Sequence, residues 1–344
     1  MSDRPLAITA TGMVTGVGLD TYSSCAAIRA AIDNFQETQF IDDGGEKLMG
    51  CQVSLGEAWR GTRKLAKMLA STLTECAKQR GLSLQQVPVL ICLAEPDRPG
   101  QLPNHGNRVY FETEQELGFA FHPESRVIKQ GRVGSLLALK LAREMIYEDK
   151  LQHVIIAGVD SLLSASALRH FEQSARLLTS KHSDGFIPGE AAAAILVQAP
   201  EAKQISQLLC LGLGFGQELA TIDSEQPLRA DGLVTAIKES LADANRKMED
   251  LDFRIVDVSG EQYWFKETSL ALLRTLHIPQ PEFDIWHPTD CIGEVGAAIG
   301  LINLAVIKVA AEKGYAKGHQ VLAHISNWDS QRAAAVLSYS KWEC

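Results

Sequence analysis

The residues best equipped for chemistry crowd into one short stretch, His287-Pro288-Thr289-Asp290-Cys291, where an imidazole stands four positions before a thiol. A histidine that takes the thiol proton can make such a cysteine a nucleophile. The same stretch also reads as a loop in which Asp290 caps the following helix and His287 satisfies local backbone. Both readings stand at this level. The other cysteines, at 25, 51, 76, 92, 210 and 344, are dispersed without any C-x-x-C spacing. That is the pattern of reduced thiols packed as small hydrophobes. Nine histidines form no H-x-x-x-H pair and no Cys/His cluster, so no metal site is expected. Gly212-x-Gly214-x-Gly216 follows an apolar run, but no helix with an acidic residue follows at dinucleotide spacing, so no nucleotide cofactor is expected.

These groups need a scaffold, and the chain has the means to build one. It has 344 residues, 46% of them hydrophobic and 22% charged, which is ample for a buried core. Its 33 Lys+Arg against 42 Asp+Glu give a formal net charge of -9. That argues against a general nucleic-acid or anionic-membrane surface, which needs a basic excess. No apolar run approaches the roughly 20 residues of a membrane span. The N-terminal MSDRPLAITATG lacks the apolar stretch and cleavage site of a secretory signal, so a cytoplasmic protein is expected.

Short apolar runs alternate with amphipathic stretches, the grammar of an α/β fold. Strands are predicted over Leu6–Thr11, Val87–Leu93, Val154–Gly158, Ala191–Val197, Leu208–Phe215, Ile255–Val258, Gln320–Ile325 and Ala333–Ser338. Helices are predicted over Asp20–Ile32, Arg63–Arg80, Ser135–Glu148, Gly232–Asn245 and Gly296–Ala311, with Gly12, Gly16 and Gly18 forming the first turn. Lys64–Leu93 and Leu233–Val258 share one pattern of amphipathic helix, polar turn and apolar strand, a sign of internal duplication. Pro96–Pro103 reads as a surface loop, and the tail Tyr339–Cys344, with Trp342, as a segment that packs at a subunit edge.

Four segments together resemble the β-ketoacyl-ACP synthase branch of the thiolase-like superfamily. They are AITATGMVTGVGLDTYSSCAAIRAAIDNF, EMIYEDKLQHVIIAGVDSLLS, DGFIPGEAAAAILV and CIGEVGAAIGLINLAVIKVA, in the family's order across nearly the whole chain. The resemblance implies two βαβαβαββ halves related by a pseudo-twofold in a five-layer αβαβα stack, usually dimeric. The halves fall at 1–205 and 206–344 and pack as one body.

The resemblance also implies a chemistry: a cysteine nucleophile, two polar groups (His-His or His-Asn) for decarboxylation, and backbone N–H donors for the thioester oxyanion. At the matching positions those groups are missing. The nucleophile belongs in the turn Lys129-Gln130-Gly131-Arg132-Val133-Gly134-Ser135-Leu136, which has no cysteine; Ser135 is the one hydroxyl there, as nucleophile or as first-turn residue. The first histidine belongs in Val258-Ser259-Gly260-Glu261-Gln262-Tyr263-Trp264, where Glu261 stands as a base or as an exposed loop residue. The second falls at Gly293. The family's closing glycine-rich loop is replaced by Ser326-Asn327-Trp328-Asp329-Ser330-Gln331-Arg332, with no glycine and with Trp328 where an acyl chain should pass. Any position there requiring positive φ would be strained.

Two functions follow. In the first, the fold is kept and the chemistry lost, and the protein is an adaptor, scaffold or chaperone without cofactor. Chain-length factors and the thiolase-like proteins encoded beside type VI secretion cargo are such cases, and DCIGEVGAA and VSGEQYW look more like the second. In the other, a rebuilt site acts on acyl thioesters as an acyltransferase, through Cys291 with His287 or Ser135 with Glu261. A homodimer or heterodimer is expected in either case. An acyl carrier protein is the less expected partner of so acidic a chain, although Arg126, Lys129 and Arg132 could form a small basic patch.

Overall fold

The computed structural model describes residues 4–101, 104–201, 206–278, 280 and 282–341. Strand β1 (Leu6–Val14) extends past its predicted end and carries Gly12 within it, not in a turn. A Cβ on Gly12 would fall 2.0 Å from the Thr72 carbonyl oxygen, so glycine there lets a helix lie directly on the strand. Helix α1 (Thr21–Arg29) follows, capped by the Asp20 side chain, which accepts from the Ser23 N–H. A hairpin of β2 (Phe35–Ile41) and β3 (Lys47–Cys51) comes next. The first half continues with α2 (Gly61–Lys78), β4 (Val89–Leu93), α3 (His105–Leu117), β5 (Arg126–Lys129), α4 (Gly134–Tyr147), β6 (Val154–Ser161), α5 (Ala165–Gln173) and β7 (Glu190–Gln198). The second contains β8 (Ser206–Gln217), α6 (Asp231–Ala244), β9 (Phe253–Val256), α7 (Gln262–Thr275), β10 (Ile285–Trp286), α8 (Thr289–Ile292), α9 (Ile299–Glu312), β11 (Gln320–Ser326) and β12 (Gln331–Lys341).

The strand order exposes the duplication. Ten strands run β10-β9-β11-β12-β8-β1-β7-β6-β4-β5, and the hairpin forms a separate two-stranded sheet. Read outward from the centre, β1-β7-β6-β4-β5 and β8-β12-β11-β9-β10 are the same pattern, strand for strand in chain order. Their orientations also match: β4 pairs in parallel with β5 and β6, and β9 with β10 and β11, while the remaining pairs are antiparallel. Only three residue pairs between β1 and β8 join the two blocks, from Leu6↔Cys210 to Ile8↔Leu208. The segments α2–β4 and α6–β9, predicted as a repeat, hold equivalent places. The expected boundary between halves borders residues 202–205, which lie outside the described residues, as do 102–103 of the Pro96–Pro103 loop and Trp342 and Cys344 of the tail.

The core is layered accordingly. The inner faces of both blocks pack on α4 and α9, joining Leu136, Leu139, Ile302 and Val306 to Ile156, Ile195, Ala323 and Ala335. The outer face of the first block packs on α2 through Leu69, Leu73, Ile91 and Ile155. That of the second packs on α6 through Leu233, Ile237, Leu322 and Val336. This is the five-layer αβαβα arrangement. The predicted helix Gly296–Ala311 is a 3₁₀ turn at Gly296–Ala298 followed by α9, in which every residue from Ile299 to Ala311 is buried. A helix apolar all round belongs between two sheets. Both inner helices enter through a 3₁₀ turn that starts on a left-handed glycine, Gly131 at φ +53° and Gly296 at φ +52°.

The inner helices meet closely at Ser135 and Gly300. A Cβ on Gly300 would lie 1.9 Å from Ser135 Oγ and 2.6 Å from Ile325 Cδ1. Gly300→Ala therefore overpacks the crossing and lowers stability by about 1–3 kcal/mol. Adding Ser135→Gly restores part of that loss. Urea unfolding of the single and double variants measures both effects; a Gly300→Ala chain as stable as wild type would refute this packing.

Candidate functional site

The chamber between the halves forms where the 3₁₀ turn before α4 faces the ends of β9 and β11 and the loop before α9. From the turn assigned to the nucleophile, the side chain that projects inward is Arg132, 2% exposed. Its Nη2 binds Glu294 Oε2 and its Nε lies 3.2 Å from Glu294 Oε1. Its Nη1 donates to the Ser326 carbonyl at 2.9 Å and approaches Asp257 Oδ2 at 3.4 Å. Ser259, in the turn assigned to the first histidine, donates to Glu294 Oε2 at 2.8 Å. Glu294 follows Gly293, the position counted for the second histidine. Three loops that would bring thiol and imidazoles together thus bring together an arginine, a hydroxyl and a carboxylate.

The surroundings complete a solid plug. The rings of Trp264 and Trp328 lie 5.1 and 5.2 Å from the Arg132 guanidinium. Trp328 also lies 5.3 Å from Arg176, which sits over Phe171 and Phe186. Trp264 lies 5.5 Å from Arg332. Aromatic faces and guanidinium groups alternate, each contact favoured by the ring quadrupole. Each arginine is also ion-paired: Arg176 with Glu261, Arg332 with Glu267, and Arg132 with Glu294 and Asp257.

Two backbone donors near the turn are used internally. Val133 N–H donates to Asn327 Oδ1 at 3.1 Å, and Asn327 N–H to the Gln331 carbonyl at 3.0 Å. The glycine-free loop 326–332 has no residue at positive φ. Arg332 makes that possible, because its Nη1 donates to the carbonyls of Asn327, Asp329 and Gln331 and so supports the turn from within.

The residues singled out from sequence lie as follows. Glu261 is not an exposed loop residue: it is 3% exposed, bound at both oxygens by Arg176 and accepting from Trp264 Nε1 at 2.8 Å. Ser135 is fully buried in the first turn of α4, its hydroxyl 3.4 Å from the Arg132 carbonyl, with no contact to Glu261. Cys291 is 5% exposed; its thiol is directed at the Ile28 carbonyl, and burial beside Asp290 and Asp33 pushes it up to about 11. His287 Nδ1 stands 2.9 Å from Asp290 Oδ1, at the distance but not the angle of a hydrogen bond, and its ring meets Phe265. The contacts of Cys291 and His287 lead away from each other. Asp290 sits inside the one-turn helix α8 and does not cap it; Pro288 holds that position. The basic patch does not form, since Arg132 is buried and Arg126 pairs with Glu124.

Sequence reasoning placed Arg132 in a surface patch and missed Glu294, Ser259 and Asp257. The available signal was one charge in each of two small-residue stretches, Gly131-Arg132-Val133-Gly134 and Gly293-Glu294-Val295-Gly296, with opposite signs. The other thiols are no better placed. Burial pushes Cys92, behind the turn, upward, and raises Cys25 and Cys51 to about 12 and Cys210 to about 11. Among the described residues no group of three or more His, Cys, Asp or Glu could hold a metal ion, and no helix is long and apolar enough to cross a membrane.

The family model "Beta-ketoacyl synthase, N-terminal domain" matches residues 133–202, beginning one residue past Arg132. No curated protein matches the chain in sequence. Solved structures match over nearly its whole length. A type II PKS acyl-carrier protein in complex with its ketosynthase bound to the hexaketide matches with TM-score 0.81 and 15% identity over 97% of this chain and 99% of that one. The ishigamide ketosynthase/chain length factor matches with TM-score 0.78 and 16% identity over the same shares. A Xenorhabdus doucetiae ketosynthase in complex with its chain length factor matches with TM-score 0.73 and 11% identity over 97% and 98%. The fold is therefore the thiolase-like ketosynthase fold.

Removing one partner of a buried pair leaves the other charge uncompensated, at about 3–5 kcal/mol. Arg132→Met and Glu294→Met should each lose that much, and the double variant much less than their sum, in a double-mutant cycle read by urea unfolding. Additive losses would show that the two side chains are not coupled. Asp257 supplies a pH signature, because burial pushes its carboxyl up to about 6 against the pull of Arg132. The folded state then holds this proton more tightly than the unfolded state, whose value is near 3.8. The contribution of Asp257 to stability therefore falls as pH rises from about 4 through 6. Relative to Asp257→Asn, wild type should lose stability across that window; a pH-independent difference would contradict the assignment.

Proposed function

We propose that this ketosynthase-like protein works by binding and not by acyl transfer. The observation that carries the reading is Arg132, locked by Glu294 and Asp257 in the place where the fold would present its nucleophile. An arginine cannot form a thioester, remains protonated, and here fills the space that an acyl group would enter. The second support is that two backbone donors beside it, those of Val133 and Asn327, are already satisfied by Asn327 and Gln331. An oxyanion hole needs free donors aimed at the reacting oxygen.

On this reading the chain is an adaptor, scaffold or chaperone built on an enzyme fold, and fold alone does not imply activity. Its working form is a dimer. Secretion-system cargo is the partner suggested by DCIGEVGAA and VSGEQYW, and pull-down from the native host that recovers no secretion component would count against it. A second reading, pairing with an active synthase as a silent subunit, draws support from the structures of ketosynthases with chain length factors that share the fold.

Incubating the full chain with acyl-CoA or acyl carrier protein and measuring intact mass tests the central point. No adduct is expected in wild type. A stable acyl adduct that is lost in Cys291→Ala or Ser135→Ala would overturn the reading and establish a rebuilt enzyme.

A further inference from the structure

Away from the filled chamber, the first half carries an open cleft of about 900 Å³, within the range of ligand sites. Its walls are strand β2 with the irregular segment 52–60 on one side, and the start of α5 with residues 98–101 on the other. Its floor is charged but self-neutralised. Lys64 pairs with Glu190, with side chains 13% and 4% exposed, and Arg98 pairs with Asp160, at 5% and 2%. Ser161 links the two pairs, donating its hydroxyl to Glu190 Oε2 and its N–H to Asp160 Oδ1. The floor charges are thus compensated, while Glu57 and Arg60 of the wall form no ion pair among the described residues.

The walls are rich in groups that both donate and accept: Gln36, Gln39, Gln52, Ser54 and Ser166. Gln52 and Ser54 make no side-chain hydrogen bond to the described residues, and Gln36 and Gln39 spend only part of their amides, on Asn34 and Arg60. Apolar contact comes from Phe40, Leu163 and Trp59. The lining is thus more polar than that of the usual small-molecule pocket, which is apolar with a few polar groups. Strand β2 pairs only with β3, so its other edge is unpaired among the described residues, and Gln36, Gln39 and Phe40 of that strand line the cleft. An unpaired strand edge beside amide-bearing walls is the geometry of strand addition.

We infer that the cleft binds an extended segment of a partner polypeptide, held by main-chain hydrogen bonds to β2 and by the amide and hydroxyl side chains of the walls. This inference rests on the binding role proposed above and names where and what the protein binds. It fails separately from that role, because the acyl-adduct result does not depend on the cleft.

The probe is a phage-displayed library of random 12-residue peptides selected against the full chain, with enriched peptides then synthesised and titrated by fluorescence anisotropy. Selected peptides should slow amide hydrogen exchange in residues 35–41. Ser54→Trp and Ser166→Trp, which narrow the cleft from opposite walls, should each weaken binding at least tenfold. Leu273→Ser, at an exposed position of α7, should leave it unchanged. The inference is overturned by any of four results: no enrichment over a Ser54→Trp target, affinity indifferent to both tryptophans, coenzyme A binding there while peptides do not, or cleft amides already protected by a second copy of the chain.

Discussion

The rest of the structure depends on one ion pair, Arg132 with Glu294, buried between the two halves. Taking a guanidinium and a carboxylate out of water is unfavourable, and only close geometry with further hydrogen bonds offsets it. Those bonds are what the surrounding loops supply. Ser259 and the Gly296 N–H satisfy Glu294, the Ser326 carbonyl and Asp257 satisfy Arg132, and Asp160 ties Arg98 to the Ala297 N–H behind them. On the proposed reading, the loops that an enzyme of this fold would hold for chemistry are here held for charge compensation.

That constraint explains the composition of the second half's outer layer. Beneath α7, Arg332 and Ser326 of the sheet both bond Glu267 of that helix, where the equivalent helix of the first half, α3, buries Val109 and Thr113. Arg332 carries the glycine-free loop, Glu267 fixes Arg332, and Tyr263 and Trp264 close over both. The duplication survives in strand order, while the layers have diverged in polarity. Arg254 and His324 show how far this has gone: both are buried on that outer face, and burial with the nearby Arg254 charge lowers His324 to about 3.

Much of the fold was legible in the residues. The two apolar runs that became α4 and α9, the alternating small-residue strands and the paired segments α2–β4 and α6–β9 follow from hydrophobic period and glycine placement. The hairpin β2–β3 and the helices α3, α5 and α7 were missed because their surfaces are largely exposed and their apolar pattern is short, as in Gln36-Glu37-Thr38-Gln39. The site was legible as a set of missing groups. Its replacement was not, because Arg132 and Glu294 are 162 positions apart and nothing local marks a charge as buried or paired. Glu261 shows the same limit: an ordinary loop glutamate in sequence, it is buried only because Arg176 crosses from the other half to meet it.

The central claim is that an ion-paired plug stands where condensing chemistry would occur. The most direct test is release of labelled carbon dioxide from malonyl-CoA, or from malonyl-loaded carrier protein, by the full chain. A plugged chamber without thiol or imidazole predicts release no faster than in buffer. Turnover that saturates with substrate and disappears on heat unfolding would contradict the account.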